Sequence, residues 1–261
     1  MPEPIEPPLR VELVPVGFYV DRIIEPVCLH RADRLYLAVA RIDGKNLAAP
    51  FLTRVRRELA SRMPALQVRE VSVYAWDMES LVETFSAIIR KERSVGNQVW
   101  VNLSTGSKME AIAAAVACMG NGGIPYYVRM KSYRIPTLNT PSARGVDTVD
   151  PVPPFGLSVP STAGLSVLDL LSQNERGLSK RVLIQGLTEL GVIPKDIPGK
   201  TVQARYARLQ TVLEQLTVLP PLIEVDGSHR RTSVRITDRG RLALRIFAPR
   251  PGLAESFSTR A

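Results

Sequence analysis

The stretch VNLSTGSKMEAIAAAVAC, Val101–Cys118, predicts an apolar strand that turns through a short polar loop directly into a helix. Ser107 and Glu110 have the spacing of a capping box, which places the loop at the helix N-terminus. Unpaired backbone N–H groups and the positive end of the helix dipole make this position an anion site. Gly106 lets the backbone approach a ligand closely, the hydroxyls add donors and the lysine adds charge. The predicted ligand-binding residues of the loop are Ser104, Thr105, Gly106, Ser107 and Lys108.

The alternative for this loop is a capped helix without a ligand. Capping explains one serine and the glutamate, but it does not explain Ser, Thr, Gly, Ser and Lys in succession. The loop is not a Walker motif, and the first predicted strand is followed by Gly17-Phe18 and not by GxGxxG, which disfavours an ATPase and a dinucleotide-dependent dehydrogenase. Gly17 and Phe18 are still predicted to line the same sheet edge, because they lie at a strand-to-helix turn. A core aromatic is the alternative for Phe18.

Short apolar runs and amphipathic stretches alternate through the first 150 residues. Apolar residues at helical spacing separate five predicted strands, so the connections are expected to be right-handed crossovers in a mostly parallel sheet. The predicted strands are Val11–Val16, Arg34–Ala40, Leu66–Val73, Gln98–Leu103 and Gly123–Met130. Two further extended pieces, near Ser132–Pro136 and Gly145–Val149, favour an added hairpin. The expected fold class is α/β, a Rossmann-like sheet with flanking helices and a ligand site outside the carboxyl ends of its strands.

A Pro-rich stretch, PVPPFGLSVPS at 151–161, lacks helical or strand periodicity. It is the predicted linker between a ligand-binding domain at 1–150 and a second domain at 162–261. The net charge of +9 is uneven, because residues 151–261 carry 15 Lys/Arg and 9 Asp/Glu while the longer first part carries 19 and 16. The smaller part is the more basic one, which favours a polyanionic partner for it.

The pattern of the second domain is typical of a winged helix. Three helical patterns are followed by two short strands, Leu222–Val225 and Ser233–Thr237, which flank the basic loop DGSHRRT. The predicted helix caps and ends are Ser179 and Gly191 for the second helix, Thr201 for the third, and Asp238 for a last helix through Leu244. The predicted buried face of the third helix consists of Val202, Tyr206, Leu209, Leu213 and Leu216.

Length and composition limit the classes of protein to which the chain can belong. With 261 residues, 45% of them hydrophobic, the chain is expected to form cores and not to be disordered. No apolar run approaches the ~18 residues of a membrane span, and the start of the chain lacks signal-peptide features, so a cytoplasmic location is expected. Cys28 and Cys118 are interpreted as inert core thiols. With His30 and His229 they show no zinc-ligand spacing, so no metal site and no cofactor is predicted.

Two segments carry a family resemblance, VPVGFYVDRIIEP near the start and VNLSTGSKMEAIAAA after it. In this order they resemble the CRISPR-associated Rossmann-fold (CARF) regulators, more narrowly the archaeal members with a C-terminal winged helix. The resemblance implies a homodimer that binds a cyclic oligoadenylate, most often cyclic tetra-adenylate, across its two-fold axis, through the 104–108 loop and, less strongly, Gly17 and Phe18. Arg129 and Lys131 are added as ligand contacts on charge alone, with a solvated strand end as the alternative.

Double-stranded DNA is the expected partner of the winged helix. The candidate recognition helix is Thr201–Gln215, which would enter the major groove. Its outward residues Gln203, Arg205 and Arg208 are predicted to contact DNA, as are His229, Arg230 and Arg231 at the tip of the wing. The connection Val192–Lys200 is longer than the usual tight turn and contains two prolines. The alternative is a winged helix that serves only dimerisation or protein contact.

Three functions remain open at this point. The favoured one is a transcription regulator gated by a cyclic oligoadenylate. The second is a ring nuclease that cleaves this ligand, with a cation such as Lys108 stabilising charge, although no catalytic residues are assigned. The third is a regulator that senses another nucleotide or a non-nucleotide ligand. An appended ribonuclease is disfavoured, since the C-terminal part has no Arg-x4-6-His pair and no acidic cluster for a catalytic metal.

Overall fold

The computed structural model describes residues 7–42, 44–46, 48–133, 143–153, 159–194, 202–218, 221–227 and 232–248. Within these ranges the chain forms two compact units, one inside residues 1–157 and one inside residues 158–248. Each unit contains a sheet of its own and a cluster of buried apolar side chains of its own.

The larger unit is built on a six-stranded sheet with the order β3-β2-β1-β4-β5-β6. Its strands are β1 Arg10–Pro15, β2 Arg34–Arg41, β3 Gln67–Tyr74, β4 Gln98–Asn102, β5 Ile124–Tyr133 and β6 Ala143–Pro151. The first five are parallel, and β6 pairs antiparallel to β5. Strand order reverses between β1 and β4, as in doubly wound sheets, so the prediction of a mostly parallel Rossmann-like sheet is confirmed. The predicted hairpin is β5–β6, and its first arm is the continuation of the fifth strand.

Helices cover both faces of this sheet. In the described ranges they are α1 Asp21–Leu29, α2 Ala49–Arg62, α3 Met78–Ser94 and α4 Lys108–Asn121. Leu35, Leu37 and Val39 of β2 join a buried cluster with α1 and α2. Tyr36, which alternates with them, donates its hydroxyl to Glu92 of α3 on the opposite face. The central strands are thus buried on both sides, which leaves the loops at the carboxyl ends of the strands as the accessible edge. None of the described helices is long and apolar enough to cross a membrane.

Both cysteines belong to these helices. Cys118 of α4 is fully buried, and burial raises the pKa of its thiol to about 12. Cys28 of α1 is half-buried, and burial raises its pKa as well. Both side chains are therefore neutral thiols at physiological pH. Among the described residues, no group of three His, Cys, Asp or Glu side chains could hold a metal ion.

The smaller unit has a three-stranded antiparallel sheet with the order β7-β9-β8. Its elements in the described ranges are α5 Thr162–Ser172, β7 Leu178–Ser179, α6 Lys180–Glu189, α7 Val202–Thr217, β8 Ile223–Asp226, β9 Ser233–Ile236 and α8 Asp238–Phe247. Ser179 caps α6, and Gly191 follows its end with a φ of 73°, as the sequence predicts. Thr201, the predicted cap of α7, lies outside the described residues.

The last helix differs from the sequence prediction at both ends. Thr237, and not Asp238, caps α8: its hydroxyl accepts a hydrogen bond from the Gly240 amide at 3.0 Å. The helix continues past Leu244 to Phe247. The strand β7 was not predicted either, because two residues are too few to show alternation.

The first turn of α7 is also more exposed than predicted. Val202 and Tyr206, assigned to the buried face, are both exposed. Leu209, Leu213 and Leu216 of the same face are buried in the core of the smaller unit. The helix therefore extends its N-terminal part beyond the core that its C-terminal part packs against.

Candidate anion-binding site

Two loops meet at the carboxyl edge of the larger sheet, one after β1 and one after β4. A Cβ atom on Gly17 would lie 2.7 Å from the amide nitrogen of Gly106, so no side chain fits between them. Gly106 has a φ of 76°, in the left-handed region that favours glycine. The structure thus places in direct contact the two segments that the sequence assigned to one sheet edge.

The second loop leads into α4 through the predicted capping box. The Ser107 hydroxyl accepts from the Glu110 amide at 3.2 Å, and the Glu110 carboxylate accepts from the Ser107 amide at 2.7 Å. These two amides are therefore satisfied internally. The neighbouring amides without an acceptor among the described residues are those of Thr105, Gly106, Lys108 and Met109. Unpaired N–H groups at the positive end of the α4 dipole can hold a phosphate or carboxylate.

The interior of the loop contains polar atoms that no described residue satisfies. Thr105 is only 4% exposed, and its Oγ1 has no hydrogen-bond partner in the described part of the chain. One carboxylate oxygen of Glu110, Oε1, is likewise unpartnered there. Burial raises the pKa of this carboxyl, while hydrogen bonds from Ser107 lower it. A buried polar group without a partner costs about 1–3 kcal/mol of folding free energy. A ligand that hydrogen-bonds to the Thr105 hydroxyl would recover that cost.

Ser104 fixes the start of the loop to three neighbours. Its amide donates to Asn102 Oδ1 at 2.8 Å, its hydroxyl accepts from the Val128 amide, and its carbonyl accepts from Arg22 Nη1 at 3.0 Å. Arg22 lies in the first turn of α1 and is buried. Arg22 was not predicted from sequence as part of the site. A cation at the N-terminal, positive end of a helix is the one local signal that it has a specific partner.

The remaining predicted ligand contacts lie around this loop. Phe18 is 58% exposed and packs edge-on against Phe51, with ring centroids 5.2 Å apart, so it is not a core aromatic. Lys108 is exposed in the first turn of α4, and no described carboxylate forms an ion pair with it. Arg129 is exposed on β5 but pairs with Asp150 of β6 at 3.0 Å, so the hairpin partly neutralises its charge.

The predicted DNA contacts belong to the smaller unit. Gln203 and Arg208 are exposed on α7, and Arg205 is half-buried. His229, Arg230 and Arg231, predicted at the tip of the wing, lie outside the described residues.

A family model described as HFX_2341_N:-like, N-terminal, matches residues 10–133, somewhat less than half of the chain. No curated protein matches the sequence.

Several solved structures are similar at low sequence identity. Can2 from Sulfobacillus thermosulfidooxidans, in complex with cyclic tetra-adenylate, is 15% identical, with 90% of this chain and 63% of that chain covered and a TM-score of 0.41. Enterococcus italicus Csm6, bound to cyclic hexa-2′-fluoro-hexa-dAMP, is 10% identical, with 80% and 56% covered and a TM-score of 0.43. The Vibrio cholerae protein VC1899 is 13% identical, with 88% and 76% covered and a TM-score of 0.40. The chain spans less than two thirds of the first two, and likenesses this distant do not assign a function.

Proposed function

We propose that this chain is a ligand-responsive transcription regulator that resembles the CARF proteins. Its larger unit would bind a cyclic oligoadenylate, and its smaller unit would bind double-stranded DNA as a winged helix. It would act as a cytoplasmic homodimer in CRISPR-associated antiviral defence. The observation that carries the proposal is the loop 104–108 at the start of α4. Four amides there and the buried Thr105 hydroxyl lack partners among the described residues, and Lys108 is exposed beside them.

An oligonucleotide suits this loop because its phosphates are anions with several acceptor oxygens. The unpaired amides can each donate to a phosphate oxygen, and Lys108 adds a charge beside them. The exposed ring of Phe18 follows the glycine that contacts the loop, and such a ring can stack on a base. The motif resemblance narrows this class to cyclic oligoadenylates.

The exposed face of α4 supports pairing with a second copy of the chain. After Glu110 this helix has no charged residue up to its end at Asn121. Its apolar side chains that stay half-buried or exposed recur at helical spacing: Met109, Ile112, Ala115, Val116 and Met119. Ile112 is 53% exposed. Because this stripe starts beside the loop, pairing it across a two-fold axis would bring two loops to one symmetric ring.

The chemistry of the smaller unit supports DNA as its partner. Helices α6 and α7 pack together and are followed by a β8–β9 hairpin and a last helix, the parts expected of a winged helix. Gln203 and Arg208 point away from the buried leucine face of α7, and such side chains read adenine and guanine edges. The net positive charge of residues 151–261 adds attraction to phosphates.

A gel-shift titration tests the proposal. DNA from upstream of the gene is titrated with the full chain alone, with cyclic tetra-adenylate and with cyclic hexa-adenylate. The proposal expects DNA binding whose affinity changes with one of the rings. DNA binding that ignores every ring would reject the gating, and no DNA binding would reject the regulator. Linear products appearing in the same samples would favour the ring nuclease.

The substitution Thr105→Val separates the stability of the loop from its function. Valine has nearly the shape of threonine but no hydroxyl, so it removes a buried polar atom that lacks a described partner. We expect an unchanged or slightly higher melting temperature and a roughly fivefold to tenfold weaker affinity for cyclic tetra-adenylate, the loss of about one hydrogen bond. Calorimetric titration and thermal unfolding measure the two effects.

Thr53→Val is the matched control, because the Thr53 hydroxyl donates to the Ala49 carbonyl on the exposed side of α2. It should leave the ligand affinity unchanged. Wild-type affinity in Thr105→Val would show that the buried hydroxyl does not contact the ligand.

A further inference from the structure

We propose that a buried polar network formed by Glu12, Tyr126 and Asn102 positions the anion-binding loop. These three residues lie outside the loop, so they act on the ligand only through it. The inference rests on the proposed function of the loop, but it predicts a property of the loop that is measurable without ligand.

Glu12 is the acidic residue of this network. It lies on β1, is fully buried, and its two carboxylate oxygens have different partners. His30 at the end of α1 contacts Oε1 through Nδ1 at 2.5 Å, and the Tyr126 hydroxyl donates to Oε2 at 2.8 Å. The neighbouring strands place Leu35 and Trp100 at the Glu12 register position, so they add no charge. Beside His30, Arg10 donates to the His30 carbonyl at 3.2 Å.

Tyr126 connects Glu12 to the start of the loop. It is fully buried on β5, and its carbonyl accepts from the Leu103 amide at 2.9 Å. Asn102 is its register partner on β4, so the two residues lie side by side in the sheet. Asn102 donates through Nδ2 to the Arg22 carbonyl at 2.8 Å and accepts from the Ser104 amide at 2.8 Å. The first amide of the loop is therefore held by a side chain that lies beside Tyr126.

The direction of these bonds fixes the orientation of each side chain. The Tyr126 hydroxyl donates to Glu12, so its oxygen can still accept from the Asn102 NH2 group beside it. That NH2 group donates to the Arg22 carbonyl, so the Asn102 carbonyl oxygen faces the Ser104 amide. A buried polar network of this kind favours one arrangement of its members.

Glu12→Gln tests whether this buried carboxyl carries a charge. Burial raises the pKa of Glu12 above its ordinary value of 4.5, so the folded protein holds this proton more tightly than the unfolded chain. The contribution of Glu12 to stability is thus complete below pH 4.5 and is lost as the pH rises through the raised value. Glutamine keeps the shape without the charge. We expect Glu12→Gln to melt a few degrees above wild type at pH 8, where ~1 kcal/mol shifts the melting temperature by about 2–4 °C.

The difference between the two melting temperatures should shrink or reverse at pH 4, where the wild-type side chain is protonated. Thermal unfolding of both proteins at the two pH values measures it. An equal difference at pH 4 and pH 8 would contradict a buried, ionised Glu12.

Tyr126→Phe tests the positioning itself, with Tyr36→Phe as the control. Both tyrosines are fully buried in the same sheet, and both donate to a buried glutamate, but Tyr36 contacts Glu92 on the opposite face, away from the loop. We expect Tyr126→Phe to weaken the affinity for cyclic tetra-adenylate about tenfold. Amide hydrogen exchange of residues 103–110 should also become faster without ligand. Tyr36→Phe should lower the melting temperature comparably and change neither quantity.

Ligand affinity and amide exchange test the proposed ligand and the proposed positioning separately. If wild type binds no cyclic oligoadenylate but Tyr126→Phe alone accelerates exchange at 103–110, the proposed ligand is wrong and the positioning stands. If both variants leave exchange at 103–110 as in wild type, or both accelerate it equally, the positioning is wrong whatever the ligand.

Discussion

Gly106→Ala is expected to abolish ligand binding, with an affinity for cyclic tetra-adenylate at least about 100-fold below wild type. An alanine Cβ at this position would lie 2.6 Å from Pro15 Cβ and 2.9 Å from a Glu110 carboxylate oxygen. The backbone there also has a φ of 76°, which costs a residue with a side chain about 1–2 kcal/mol. The loop must move away from β1 and from its own cap, and its amides would lose their common orientation. Since several amide–phosphate bonds depend on that orientation, ~2.7 kcal/mol, or 100-fold, is the minimum expected loss.

Gly96→Ala provides the matched control for this experiment. Gly96 follows α3 with a φ of 87°, and nothing lies within 4 Å of the Cβ that an alanine would add. It therefore carries the same backbone strain without the contacts at the loop. We expect calorimetric titration to give wild-type affinity for Gly96→Ala despite a lower melting temperature. Equal affinities of the two variants for cyclic tetra-adenylate would show that Gly106 is not part of the binding site.

The double substitution Arg205→Ala, Arg208→Ala is expected to lower the affinity for upstream DNA about 100-fold at constant salt. Each arginine that contacts a base or a phosphate contributes about 1–3 kcal/mol, so two contacts account for this factor. If both contact phosphates, the slope of log affinity against log salt should also fall by roughly 1.8. Fluorescence anisotropy over a salt series measures both quantities. The affinity for cyclic tetra-adenylate should not change.

A second double variant separates this effect from net charge. Arg54 and Arg57 are exposed on α2 of the larger unit, and replacing both with alanine removes the same two charges from the protein. DNA binding should then fall by no more than a few-fold. If both double variants lose affinity equally, α7 is not a recognition helix and the attraction is a general property of a basic protein.

The fold was predictable from sequence where local periodicity decides it. Each parallel strand of the larger unit is a short apolar run between helical patterns, and the capping pair Ser107 and Glu110 marks the start of α4 directly. The prediction was less accurate where the core ends. Val202 and Tyr206 continue the apolar period of α7, but periodicity does not tell how far along a helix the neighbouring core extends.

The residues of the candidate site also differ in whether they could be predicted from sequence. The loop 104–108 can be predicted from sequence because the strand, the turn and the cap are contiguous. The roles of Arg22 and Glu12 cannot be predicted in this way, because their partners Ser104 and Tyr126 lie 82 and 114 residues away in the chain. Only the order of strands, with β4 beside β1 and β5 on the far side of β4, brings these groups together.

The most direct test of the anion-binding loop is a crystal structure of the protein grown with cyclic tetra-adenylate. We expect phosphate oxygens within about 3.2 Å of the amides that lack an acceptor among the described residues, those of Thr105, Gly106, Lys108 and Met109. We also expect the Thr105 hydroxyl to gain a partner. A ring bound elsewhere, with these amides and the Thr105 hydroxyl unchanged, would contradict this expectation.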